Sequence, residues 1–425
     1  MKKIISLDFI IIFTFGFLFL LNWDKTNVGN FILFFVLLAV YLCIDKLLNQ
    51  EITDDKRNKF FRYKTILLFA IIFYLLTITL VVHIGERADN SALAVHDSIE
   101  QVESAIKFVL AGKNPYSENY FGTELERSGY VMTTKGAIFL NPALLHCVYL
   151  PWQFIISVPF YWFFSHFFNF YDQRIVYLVF FILSLFALFA LPKKKENKFI
   201  LVALYALNPL FLIYFIAGRS DVFVLSFIIF TVYFLSKNKF LLASAMLALA
   251  CASKHSAWFL APVYYFYLFF KIKSELGWRP KIKILWRLTW VLPVIFLIII
   301  TPFVLWNPTA FWQDIYLYPA GKLATSYPIN GFGVANWLYE LGLIRHYTDY
   351  IPLWPIQIPL IALVLSLTLY GQRENNTLSR MVFSFACLIF VFWLFSRFFH
   401  DNYVGFVSQL FLIAYFLDSD IMIKT

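Results

Sequence analysis

Charge is what this chain has least of. Only 14% of its residues are Asp, Glu, Lys or Arg, against 61% hydrophobic. A soluble globular domain is excluded by that make-up. Cysteine is nearly as scarce: Cys43, Cys147, Cys251 and Cys387 are scattered, three of them inside apolar runs, which defines neither a disulfide framework nor a metal cluster. The N-terminal run MKKIISLDFIIIFTFGFLFLLNW lacks a small-residue cleavage site. It therefore reads as a retained first helix, not a signal peptide. Nucleic acid is not needed to explain the net charge of +10, because membrane proteins gather Lys and Arg in cytoplasmic loops.

What fills the chain instead is apolar sequence, at a mean hydropathy of +0.72 with 21% aromatic residues. Candidate spans are 6–23, 28–45, 64–84, 175–191, 198–216, 222–236, 240–254, 256–271, 288–306, 353–370, 380–397 and 402–418. The stretch 151–168, PWQFIISVPFYWFFSHFF, is broken by Pro151 and Pro159. If it does not cross, the two termini and the loops near 46–64, 192–198, 237–239, 271–287 and 371–380 are cytoplasmic, and they hold 23 of the 35 Lys and Arg. If it crossed, Lys193, Lys194 and Lys195 would move outside, so a re-entrant or interfacial placement is expected. The expectation is an all-α integral membrane protein, a polytopic helical bundle of about 12 transmembrane helices. Residues 1–425 are read as one domain, with both termini cytoplasmic. It comprises a helical pair and cytoplasmic loop over 1–63, a large first extracytoplasmic loop over 85–174 and a second over 307–352.

The first extended polar stretch is 96–116, HDSIEQVESAIKFVLAGKNPY. Ala105, Ile106, Phe108, Val109 and Leu110 follow its polar front at helical spacing, and Gly112 with Asn114-Pro115 ends the helix. Asp97 stands where it either caps that helix or offers a carboxylate at the lip of the bilayer. With the topology above, Arg219 and Asp221, Lys254 and His255, and Arg397, His400, Asp401 and Asn402 all fall at outer helix ends. Each alone reads equally as an interfacial anchor; their common depth suggests one shared site. A carboxylate beside several cations at a membrane surface suits a phosphorylated lipid whose head group is transferred. Arg and Lys hold the phosphate and stabilise its leaving charge, and the carboxylate takes a proton from an incoming hydroxyl. Trp152, Trp258, Trp306 and Trp312 either stack on sugar rings or belong to an aromatic belt.

The order of motifs resembles the GT-C superfamily of polytopic glycosyltransferases, in particular its glycosylphosphatidylinositol mannosyltransferase-like and family 87 branches. The matching pieces begin with Asp97, Glu103-Ser104-Ala105 and Gly112-Lys113-Asn114-Pro115-Tyr116. Asn141-Pro142, His146, Tyr149-Leu150-Pro151, Asn208-Pro209 and Gly218-Arg219-Ser220-Asp221 follow, then Lys254 ahead of Pro262 and Thr301-Pro302-Phe303. They cover roughly 64–405. The resemblance implies a sugar on a polyprenyl or dolichyl phosphate as donor, an Asp of the first outer loop as general base, and helices lying along the membrane in that loop. Many relatives carry Asp-x-Asp there, whereas this chain has Val95-His96-Asp97, so a divalent metal is unsupported and no cofactor is expected. The Asp-x-Asp at Asp418-Ser419-Asp420 falls on the cytoplasmic side and is read as a decoy.

The expectation is therefore an inverting hexosyltransferase, with a mannose-like sugar favoured, in a bacterial or archaeal plasma membrane. It uses a polyprenyl-phosphate sugar donor and a lipid-linked or cell-envelope glycan acceptor, among membrane lipids. Asp97 is the base, and Asp221 orients a cation or an acceptor hydroxyl. Arg219, Lys254, His255, Arg397 and His400 bind the donor phosphate. Glu103, Gln101 and Tyr116 stand as support, although Glu103 lies about 240° around the helix from Asp97 and is placed to pair with Lys107 at i+4. The alternatives are a lipid-linked-oligosaccharide flippase, which needs polar groups at mid-membrane, and an O-antigen ligase or polymerase.

Overall fold

The computed structural model describes residues 5–23, 27–89, 95–133, 136–272 and 277–417. Among the described residues the fold is all-α apart from two short two-stranded pairings. Each of the twelve apolar runs is helical, as expected of backbone whose amides have no water to bond. Among the described residues three helices are long and apolar enough to cross a membrane: Val28–Leu48, the 36-residue run Asp54–Asp89, and Trp354–Glu374. Two bent pairs, Lys195–Leu207 with Pro209–Ala217 and Trp278–Thr289 with Val291–Trp306, raise the number to five. That is fewer than the twelve crossings expected from hydropathy. The difference is length, since five further apolar helices have only 10–17 residues and a straight crossing takes about 20.

The chain forms two compact units, 1–93 with 188–216 and 94–187 with 217–425. The split arises because the chain returns: Lys195–Leu207 packs on Leu7–Trp23 and Asp54–Leu76 before leaving again. In the first unit, Lys64 Nζ lies 2.7 Å from Asp8 Oδ2 and 2.7 Å from Asp45 Oδ1, tying three helices together. Its two bent helices meet at Asn208-Pro209, where Asn208 takes the extended conformation that a following proline imposes.

The second unit carries the polar clusters. Its segment from His96 to Gln173 holds the helix Asp97–Leu110, an antiparallel hairpin of Tyr130–Met132 with Ile138–Leu140, and the short helices Trp152–Ile155 and Val158–Phe168. The run 151–168 is thus broken, and its longer piece has 11 residues, about 16 Å. Trp162, Phe163, Phe167 and Phe168 are exposed along it. The helices Asp221–Ser236 and Phe240–Cys251 pack as a hairpin, as do Leu378–Leu394 and Asp401–Phe416. Residues 307–352 join the latter pair through a parallel pairing of Asn330–Gly331 with Phe398–Phe399. Gly331 makes that pairing possible: its φ is +86°, and a Cβ there would stand 2.2 Å from Phe399 O. Asp418-Ser419-Asp420 lies outside the described residues.

Candidate active site

The helix Asp97–Leu110 is capped by His96, not by Asp97: His96 Nδ1 accepts from the Ser98 N–H at 3.2 Å. Asp97 is the first helical residue, at the positive end of the helix dipole. Its Oδ1 lies 2.8 Å from His96 Nδ1, and its Oδ2 accepts from Asn141 Nδ2 at 3.0 Å. One nitrogen cannot accept and donate together. Protonated, Nδ1 faces Asp97; unprotonated, it caps the helix. Asn141 is fixed in turn, donating to Ser128 O at 2.9 Å and accepting from the Ala143 N–H at 3.0 Å. Burial alone would raise the Asp97 carboxyl. The charge and hydrogen bond of His96, the Asn141 amide and the charge of Arg219 outweigh it, and the group is held well below the usual carboxylate range.

Arg219 reaches this corner because Gly218 lets its backbone lie on the first turn of that helix. The Gly218 φ is +101°, and a Cβ would stand 2.4 Å from Ile99 Cγ1. Two bonds fasten the contact: His96 N–H to Ala217 O at 2.9 Å, and Ser98 Oγ to Gly218 O at 3.0 Å. A glycine with left-handed backbone and no side chain is what so close an approach requires.

From Arg219 a chain of charged and amide groups continues. Arg219 Nη1 donates to Asn402 Oδ1, Asn402 Nδ2 donates to Asp221 Oδ2, and Lys254 Nζ bonds Asp221 Oδ1 at 2.6 Å. The Lys254 ammonium also lies 5.7 Å from the centre of the Tyr403 ring. Asp401 sits 4.0 Å from Arg219 Nη2. His400 joins the same neighbourhood, where burial and then Arg219 push its imidazole down to about 4 despite the carboxylates of Asp401 and Asp97. Burial thus favours the neutral form of the His400 ring, which can still donate a hydrogen bond. Tyr149, Tyr318 and Tyr327 feel the Asp97 charge, and burial above all keeps their hydroxyls protonated.

The structure therefore brings together Asp97, Arg219, Asp221, Lys254 and His400. Other expected site residues have different work. Arg397 is spent on backbone carbonyls, donating to Tyr327 O at 2.6 Å, Asp349 O at 2.5 Å and Tyr347 O at 3.2 Å, so it clamps the 320–350 segment. His255 bonds the backbone of Ile315, and burial lowers it to about 4. Glu103 Oε1 accepts from the Gln173 N–H at 2.9 Å, while Lys107 pairs with Glu124. Gln101 holds the turn after Asn141, donating to Ala143 O at 2.9 Å and His146 O at 2.7 Å. Tyr116 donates to Tyr149 O at 2.7 Å, with its ring against Phe311. These are positioning contacts. Of the four tryptophans, Trp258 donates its indole N–H to Cys251 O at 2.8 Å.

Asn141, Asn402 and His146 were named from the sequence without these contacts: the two amides orient Asp97 and Asp221, and His146 belongs to a second buried pair. His146 Nδ1 lies 2.7 Å from Asp314 Oδ1, and its Nε2 lies 2.7 Å from Thr325 Oγ1. The signal for Asn402 was present, as a polar residue in the first turn of an otherwise apolar helix. Asp314 carried none, because its partner is 168 residues away. Among the described residues no group of three or more His, Cys, Asp or Glu is arranged to hold a metal ion. No protein-family model matches the chain, and no curated protein matches it.

Proposed function

We propose that this chain is an inverting membrane glycosyltransferase of the GT-C type. It moves a sugar from a polyprenyl-phosphate donor to a lipid-linked or cell-envelope acceptor at the extracytoplasmic face of a plasma membrane. About twelve crossings with both termini cytoplasmic belong to this reading. One observation carries it: the Asp97 carboxylate, held ionised by His96 and Asn141, stands beside the chain Arg219–Asn402–Asp221–Lys254. In the reaction the acceptor hydroxyl oxygen attacks the anomeric carbon as the bond from that carbon to the phosphate oxygen breaks. The hydroxyl proton passes to Asp97. Polyprenyl phosphate departs with the bonding pair, its charge met by Arg219 and Lys254. A carboxylate of such low basicity receives the proton late, once bond formation has acidified the hydroxyl. Asp221 aims Lys254, and Asn402 ties that pair to Arg219.

The test is to incubate the purified protein with labelled polyprenyl-phosphate mannose, glucose or arabinose and glycan-lipid acceptors. Glycosylated product of inverted configuration together with free polyprenyl phosphate is expected. No transfer from any of the three donors, with all three bound, would favour a carrier of such lipids over an enzyme.

A further inference from the structure

The helix Trp278–Thr289, WRPKIKILWRLT, has an exposed side made of two adjacent rows. Trp278, Ile282 and Trp286, spaced four apart, are 65%, 51% and 58% exposed. Arg279, Lys283 and Arg287, each one residue further on, are exposed beside them, and residues four apart share a helix face. On the other side Lys281, Ile284, Leu285 and Leu288 are half-buried, and Thr289 is buried. No carboxylate occurs between Trp278 and Gln313. Among the described residues, none of the three exposed cations has a carboxylate partner.

The next helix, Val291–Trp306, is apolar apart from Thr301 and leaves at 52°. Pro293 accounts for the bend, since it has no N–H for the carbonyl of Thr289 and its ring crowds that carbonyl. A helix fit to enter hydrocarbon is thus joined, at an angle, to one whose exposed side is half aromatic and half cationic. That division suits a helix lying in the plane of a bilayer interface.

We propose that the helix Trp278–Thr289 is a binding site for anionic lipid headgroups. Trp278, Ile282 and Trp286 sink to the acyl boundary, while Arg279, Lys283 and Arg287 hold lipid phosphates, the two arginines by paired hydrogen bonds. The basic row alone would serve an acidic protein equally well. The Trp-Ile-Trp row beside it, at the foot of an apolar helix, assigns the site to lipid. Nothing in this inference depends on sugar transfer.

The experiment reconstitutes the full chain in phosphatidylcholine bilayers containing a photoactivatable phosphatidylglycerol or, separately, a photoactivatable phosphatidylcholine at equal mole fraction. Crosslinks are then read on fragments covering 278–289 and, as an internal reference, 354–374. The anionic-to-zwitterionic ratio is expected to be higher on 278–289. In R279Q/K283Q/R287Q that ratio falls about fivefold or more, the worth of one basic residue near an anionic surface, with labelling of 354–374 unchanged. R279K/R287K keeps the charge and retains most of the preference, and added salt erodes it in the parent. Equal ratios on the two fragments of the parent, or a ratio that the triple variant keeps, would overturn the assignment.

Discussion

Two buried charge networks in this protein are built from the same residue types and differ in what they leave accessible. In the N-terminal unit Lys64 binds Asp8 and Asp45, the Tyr41 hydroxyl donates to Asp8, and the Ser6 N–H bonds Asp45 Oδ2 at 3.1 Å. The rings of Tyr41 and Phe199 lie 5.0 and 4.7 Å from the same ammonium. The side chain of Lys64 is 5% exposed. That network is closed, a clamp among helices. In the second unit Lys254, Asp221, Asn402 and Arg219 form a comparable chain, yet it ends beside Asp97, whose side chain is 24% exposed. Charges saturated by their own protein hold helices together; charges left at an accessible edge have capacity for a ligand. The two networks are told apart by substitution.

The largest effect on turnover is expected from Asp97→Asn. His96 supplies the helix cap, so the fold loses little, and the Asn141 contact survives in part. The proton acceptor is gone, and loss of a general base costs about 10²–10⁴ in rate, with donor affinity retained. Measurement at saturating donor and matched protein amount checks this. Turnover within a few-fold of the parent would move the base to Asp221.

Lys64→Met should show the opposite pattern. Removing one partner of a buried pair leaves uncompensated carboxylates and costs about 3–5 kcal/mol. Thermal unfolding in detergent should fall sharply, while turnover per folded molecule stays near the parent value. A variant of normal stability but lost activity would make the N-terminal network part of the site and erase the contrast.

Arg219→Ala comes next. A charge-assisted hydrogen bond is worth roughly 1.5–3 kcal/mol, so donor affinity should weaken by about tenfold to more than a hundredfold. Arg219→Lys should recover only part, keeping the charge and losing the planar fork. Titration with a non-transferable polyprenyl phosphate reads both. Unchanged affinity would return Arg219 to an anchoring role.

How much of this was legible before folding depends on what kind of information each residue carries. Apolar runs announce helices, and all twelve are present. Whether they cross depends on breaks such as Asn208-Pro209, which shorten the pieces without altering their hydropathy. Part of the convergence was legible: Arg219, Asp221 and Lys254 stand at ends of apolar runs and Asp97 in the polar stretch of the first long loop, and the fold brings the four together. Arg397 has the same signature, but its partners are three backbone carbonyls, and backbone leaves no trace in side-chain sequence. The sequence left Asp97 open between a cap and a free carboxylate, and His96 Nδ1 takes the capping role usually given to an aspartate.

The smallest effect concerns His400, and its sign distinguishes a neutral imidazole from a cationic phosphate ligand. Burial and the charge of Arg219 hold His400 at about 4 in the fold, against an ordinary value of about 6.5 in the unfolded chain. Between those values the unfolded chain binds the extra proton and the folded protein does not. Stability therefore rises with pH through that window and is lost as pH falls from about 6.5 toward 4. His400→Gln removes the titration, so unfolding temperature in the variant should depend less steeply on pH across that range, while turnover at pH 7 stays within a few-fold of the parent. A cationic His400 would behave in the reverse way: its fold would be stabilised on acidification, and the Gln variant would lose donor affinity at pH 7. Unfolding scans at several pH values, with donor titration at pH 7, separate the two.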